Sequence, residues 1–296
     1  MDPRARGRGE RRVRLLPLPP SEGADVDSVE LANRLAPRGV GGLLDRAMTI
    51  LRRELGLLFG ISLAIWIPLR VLLLYQVRPM DADPTMIMLI EQSLMTIGFV
   101  LPAAFAARVV AAQLARDGVD WVRVLALSPA EAIGLLSLTA AIGVASGIGI
   151  CMCFIGVVAA KFWLALAPVV YVLELERKPF ARIGYALDRS VRLVAGSFWR
   201  WLAIATILMV LHLLLTMPVG YLDDPGERLS FALRFGVDLN LLELLVALLG
   251  AVFLALVGVL NGVVFAAFYF DQRARLDAAV AAATADATRR ATCADS

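Results

Sequence analysis

The chain has 296 residues, of which 59% are hydrophobic and 19% charged, with a mean hydropathy of +0.76 and a net charge of +3. That is too apolar for an ordinary water-soluble domain, and the cations are scattered between apolar stretches, so the composition argues for a bilayer and against a nucleic-acid-binding surface. Three cysteines, two of them inside an apolar stretch, and a single histidine, His212, supply neither a disulfide framework, a tetrahedral zinc site nor a nucleophile–histidine pair.

The first 20 residues, MDPRARGRGERRVRLLPLPP, carry an apolar patch broken by Pro17, Pro19 and Pro20, which is too short for the core of a signal peptide. Residues 1–36, rich in Arg, Pro and Gly, are expected to form a disordered basic cytoplasmic tail. The expected membrane domain is 37–276, all-α and polytopic, with six transmembrane helices and accompanying interfacial amphipathic helices. A C-terminal cytoplasmic tail, 277–296, follows it.

A helix needs roughly 20 apolar residues to cross about 30 Å of hydrocarbon. The first candidate span, 57–77, follows an amphipathic stretch in which Leu43, Leu44, Ala47, Met48, Leu51 and Leu55 recur at helical spacing. Pro68 is expected to kink this span, and Arg70 to snorkel from it or pair with Glu91. The second span, 86–107, contains Glu91 and Pro102. A mildly amphipathic segment around Trp121 then leads to Ser-Pro-Ala-Glu, where Ser128 should cap a helix with Pro129 at its first position and Glu131 at its third.

From Ala132 to Leu173 there is one charge, Lys161, in a stretch twice as long as one span can use. Two helices, 132–149 and 154–173, are expected back to back, with the turn near Gly147, Gly149 and Cys151–Cys153. Residues 174–200 interleave Arg177, Lys178, Arg182, Arg189, Arg192 and Arg200 with aromatic residues and read as an interfacial helix. Span five, 201–219, precedes a loop holding a short amphipathic piece, 229–237. Span six, 241–268, leads out through Asp-Gln-Arg-Ala-Arg.

With both termini inside, the inner segments hold 24 Lys and Arg and the outer loops three, Arg78, Arg228 and Arg234. That asymmetry predicts a cytoplasmic N-terminus and C-terminus.

Three blocks carry a family resemblance. The first is Gly42, Leu44, Asp45, Arg46, Ala47, Arg52 and Arg53. The second is Pro168 and Glu174, followed by Ala186, Arg189, Ser190, Leu193, Gly196, Trp199 and Arg200. The third is Tyr269, Asp271, Arg273 and Arg275. In these blocks the chain resembles bacterial membrane proteins grouped around the glycerophosphoryl diester phosphodiesterase membrane domain and the YciC-like proteins, over about residues 40–278. It departs from their pattern at Asp277 and Ala278, where Glu-Gly is usual, and lacks their Pro-Gly between spans three and four. The resemblance implies a six-helix domain in a bacterial cytoplasmic (inner) membrane. It does not imply the phosphodiesterase activity, which belongs to a separate barrel of some 250 residues that this chain has no room for.

The expected function is therefore a non-catalytic accessory, partner-binding or lipid-interacting membrane module with no cofactor, and the alternative is a small-molecule or lipid transporter. Expected partners are membrane lipids with anionic headgroups and a membrane protein or second copy, and no nucleic acid. The candidate lipid or partner platform is Arg189, Ser190, Arg192, Trp199, Arg200, Asp271, Arg273 and Arg275, on segments predicted to leave the membrane on one face. Within the membrane the candidate polar residues are Glu91, Lys161, His212 and Asn261, each weighed against snorkelling, pairing or packing. No phosphate loop, dinucleotide fingerprint, zinc-protease motif or nucleophile elbow occurs.

Overall fold

The structure is a computed structural model, and it describes residues 39–77, 83–114, 119–151, 155–174 and 178–294. The expected N-terminal tail, Arg78 and Cys153 lie outside the described residues. Those described form helices and no strand: α1 Val40–Leu72 with a π-turn at Leu73–Val77, α2 Pro84–Leu114, α3 Trp121–Leu125, α4 Pro129–Cys151, α5 Ile155–Leu164, α6 Ala167–Leu173, α7 Pro179–Ala195, α8 Phe198–Asp223, α9 Pro225–Phe235 and α10 Leu239–Ala294.

Five of these helices are long and apolar enough to cross a membrane, over Val40–Tyr75, Met86–Leu114, Pro129–Gly149, Phe198–Tyr221 and Leu239–Leu276. The remaining apolar stretch, Val158–Leu173, is shorter and divided between α5 and α6. Pro168 stands at the start of α6 and cannot donate the hydrogen bond that would join the two pieces. The expected single helix 154–173 is thus corrected to two short ones.

The inner packing is made by α1, α2 and α10, and it depends on missing side chains. A Cβ on Gly262 would fall 2.9 Å from the backbone of Ala103 and 2.9 Å from the Ala106 methyl, so α2 and α10 approach at backbone distance. Gly98 and Gly258 form the slot that takes the Trp66 ring, which is 1% exposed and edge-on to Phe99 at 5.1 Å. Ser62 ties α1 to α10 through a 3.0 Å bond to the Ala255 carbonyl. In α4, Gly143 faces Ser93 and Gly147 faces Leu89 of α2, while Gly149 meets Gly156 where α4 turns back into α5.

The amphipathic stretch before span one is not a separate surface helix. It is the first half of α1, continuous with the span, and Leu43, Ala47 and Leu51 are buried in the core beside α2 and α10. Likewise α8 begins at Phe198, and α10 runs unbroken for 56 residues, about 84 Å at 1.5 Å per residue, through the segment expected to be a tail. The start signal at Ser128 behaves as its residues predict. The Glu131 carboxylate accepts from the Ser128 amide at 3.1 Å, and the Ser128 hydroxyl accepts from the Glu131 amide at 3.3 Å. At the other end of the bundle, Asp224 caps α9 by accepting from Gly226 and Glu227, and Gly236 ends it at φ +63°, where a side chain would be strained.

Candidate functional site: the charged end of the bundle

The helix ends that carry most of the cations come together on one side. The N-terminal halves of α1 and α4, the C-terminal ends of α2 and α6, the middle of α10 around Tyr269, all of α7 and the start of α8 meet there. Two acidic residues, each about 5% exposed, organise it.

Glu174 follows α6. Its carboxylate accepts from the Tyr269 hydroxyl of α10 at 2.7 Å and from the Tyr185 hydroxyl of α7, with Arg189 Nε at 3.8 Å. Arg273, one turn beyond Tyr269, donates to the same phenol oxygen at 3.3 Å. Asp271 accepts from Arg200 of α8 at 2.9 Å and from Arg275 of its own helix at 3.0 Å. The two groups pin the ends of α6, α7 and α8 to α10, using charge-assisted bonds that are worth most where water is scarce.

Beside them, Glu131 at the start of α4 lies 3.7 Å from Arg108 and 4.0 Å from Arg182. Arg108 also donates to the carbonyls of Val124 and Ala126, holding the loop after α3. Arg182 donates to the Tyr171 carbonyl at 3.3 Å and stacks over that ring at 5.2 Å.

The α5–α6 break is closed from this end as well. Interrupting the helix leaves carbonyls of α5 without their amide partners, and in a membrane such groups are tolerated only where protein satisfies them. Ser190 of α7 donates to the Trp163 carbonyl at 2.7 Å, and Trp201 Nε1 of α8 donates to the Phe162 carbonyl at 2.9 Å.

The sequence-predicted platform is therefore brought together but divided in role. Arg189, Arg200, Asp271, Arg273 and Arg275 belong to the internal network, and Ser190 is fully buried on the break. Arg192 stands outside, paired with Asp188 at 3.0 Å, and Trp199 is 78% exposed. Arg108, Glu131, Arg182 and Tyr185 were missed as site residues. Arg108 and Glu131 each stand next to the end of an apolar stretch, where a polar group can meet one from another helix, and Arg182 and Tyr185 lie on the same amphipathic segment, 174–200, as the platform cations.

The intramembrane candidates do not form one cluster. Arg70 is buried against Gly250 of α10, so it does not snorkel, because the glycine leaves room for the guanidinium beside the helix. Glu91 is half-buried, and Glu243 is bonded to Arg228 at 3.0 Å. His212 lies 6.0 Å from the Phe99 ring. Asn261 is half-buried between Gly258 and Gly262 in sequence, with no hydrogen-bond partner for Oδ1. No group of three His, Cys, Asp or Glu that could hold a metal occurs among the described residues.

Fold and site together define an all-helical protein with several membrane-length helices, fastened at one end by buried ion pairs. No family model, curated protein or solved structure matches the chain.

Proposed function

We propose that this chain is a non-catalytic, six-span protein of a bacterial inner membrane, with both termini cytoplasmic, that engages anionic lipid headgroups at the cytoplasmic surface as an accessory module. It is of the kind its three motif blocks resemble. The sixth crossing is the α5–α6 pair. Gly156 abuts Gly149 at one end of α4, while Glu174 lies beside Tyr269 near the Glu131 end of α4, so the pair retraces the helix before it. The 24-to-3 excess of cations then assigns the charged end to the cytoplasm.

The observation that carries the lipid reading is the outer face of α7. Its inner face, with Arg182, Ala186, Ser190 and Leu193, is buried in the bundle. Its outer face exposes Phe180 and Val191, followed by Trp199 at the start of α8, and is flanked by Lys178 and Arg192. Apolar side chains outward beside cations suit a helix lying at headgroup depth, where each cation near an anionic surface contributes about 1 kcal/mol.

The transporter reading receives less support. Its broken span does not turn free carbonyls toward a path, since Trp201 and Ser190 occupy two of them.

The test is a fluorophore at Val191→Cys, in a background without the native cysteines, reconstituted with brominated lipids. Stronger quenching by brominated anionic than by brominated zwitterionic lipid is expected, with the difference lost in Lys178→Gln/Arg192→Gln. Equal quenching by both lipids would refute the lipid reading.

A further inference from the structure

Trp66 and Trp201 are each 1% exposed, and their indole nitrogens differ. Trp201 Nε1 donates to the Phe162 carbonyl at 2.9 Å, whereas Trp66 Nε1 has no hydrogen-bond partner among the described residues. A buried N–H left so is rare, because burial strips its water and returns nothing.

Gly258 of α10 stands beside that nitrogen. A Cβ on Gly258 would fall 3.3 Å from Ser62 Oγ, 3.4 Å from Trp66 Nε1 and 3.7 Å from the Gly98 carbonyl oxygen. Apart from atoms of α10 itself these are the three nearest heavy atoms, so the bare flank of Gly258 faces polar groups of α1 and α2.

Each of the three has bonding capacity to offer. Pro102 carries no amide hydrogen, so the Gly98 carbonyl lacks the donor that a helix supplies four residues on. Ser62 Oγ uses its hydrogen on the Ala255 carbonyl at 3.0 Å and keeps its lone pairs. The indole N–H repels a cation and the two oxygens repel an anion. The chemistry that fits is a small neutral molecule that accepts once and donates twice, and buried waters make about three such bonds.

We infer that one ordered water is bound against Gly258, tying α2 to α1. Its oxygen accepts from Trp66 Nε1, and its hydrogens go to the Gly98 carbonyl and to Ser62 Oγ. The water stands in for the amide that Pro102 removes, so the proline interruption of α2 is closed from α1. The site is independent of any lipid contact at α7.

The experiment is X-ray radiolytic labelling of the full-length protein in detergent, read residue by residue by mass spectrometry. Radiolysis turns a bound water into a hydroxyl radical in place and so marks the buried side chain that touches it. Trp201, equally buried and already bonded to a carbonyl, is the internal control. Oxidation of Trp66 should exceed that of Trp201 at least tenfold. Gly258→Ala, whose methyl takes the water's place with no contact outside α10 closer than 3.3 Å, should bring Trp66 down to the Trp201 level, while Gly60→Ala leaves it unchanged. The comparison of the two tryptophans in the wild type needs no variant to fold. Oxidation of Trp66 no greater than that of Trp201 would overturn the proposal. So would wild-type labelling of Trp66 in Gly258→Ala, which would mark radicals arriving by another route.

Discussion

Glu174 is where the end of α6 meets α7 and the middle of α10, and its environment makes its loss costly in a particular way. Removing one partner of a buried, charge-assisted hydrogen bond strands the other, at about 1.5–3 kcal/mol. Tyr269→Phe should therefore lower stability by about 2 kcal/mol, and Glu174→Ala by more, because two phenols and Arg189 lose their acceptor together. Thermal unfolding in detergent reads both. The glycines make a matched pair. Gly262→Val must push α2 from α10 and should cost about 1–3 kcal/mol, whereas a Cβ on Gly60 meets nothing within 4 Å, so Gly60→Ala should be neutral or stabilising by up to about 1 kcal/mol. At this scale the sequence was read best where local chemistry decides. Ser128 and Glu131 form their reciprocal cap as spaced. It was read least well where a distant helix decides. Nothing near Arg70 announces Gly250, and nothing in the platform residues announces which of them bond one another, as Arg200 does Asp271.

Among elements, the α5–α6 break depends on donors from α7 and α8. Ser190→Ala and Trp201→Phe each leave a carbonyl unpaired, and each should cost about 1–3 kcal/mol, with the double variant close to the sum if the carbonyls act independently. A double variant no worse than either single would show that the break relaxes as a unit. Hydropathy placed the apolar stretches well but misjudged their joints, for a physical reason. The apolar period of Leu43, Ala47 and Leu51 is the same whether lipid or another helix covers it, so a stretch expected at the interface is instead the buried start of α1. The Ala-rich segment read as a C-terminal tail has high intrinsic helix propensity and continues α10 to Ala294. Pro168 was visible, but its effect depends on whether neighbours can satisfy the interrupted backbone, and that is a tertiary fact.

Over the whole molecule, burial is uneven in a way that suits a bilayer. The most apolar stretch of α8 is only 17% buried, against 56% for those of α2 and α10, so α8 presents most of its surface outward. Leu202, Ile207, Met209, Leu213 and Leu214 are exposed along it, a surface that water would not tolerate and lipid would. The all-helical class and the membrane-length helices were legible from composition and apolar length alone. The number of crossings turns on α5 and α6, which together have the length of a span and separately do not. That number sets the sidedness of everything after α4, and with it the proposed cytoplasmic placement of the charged end. The direct test uses single cysteines at Ser128, Arg192 and Arg234, in a background without Cys151, Cys153 and Cys293, probed in intact cells with a membrane-impermeant maleimide. Six crossings predict that only Arg234→Cys reacts before the cells are opened, while Ser128→Cys and Arg192→Cys react only afterward. Labelling of Arg192→Cys in intact cells would contradict the six-span topology and the charged cytoplasmic face built on it.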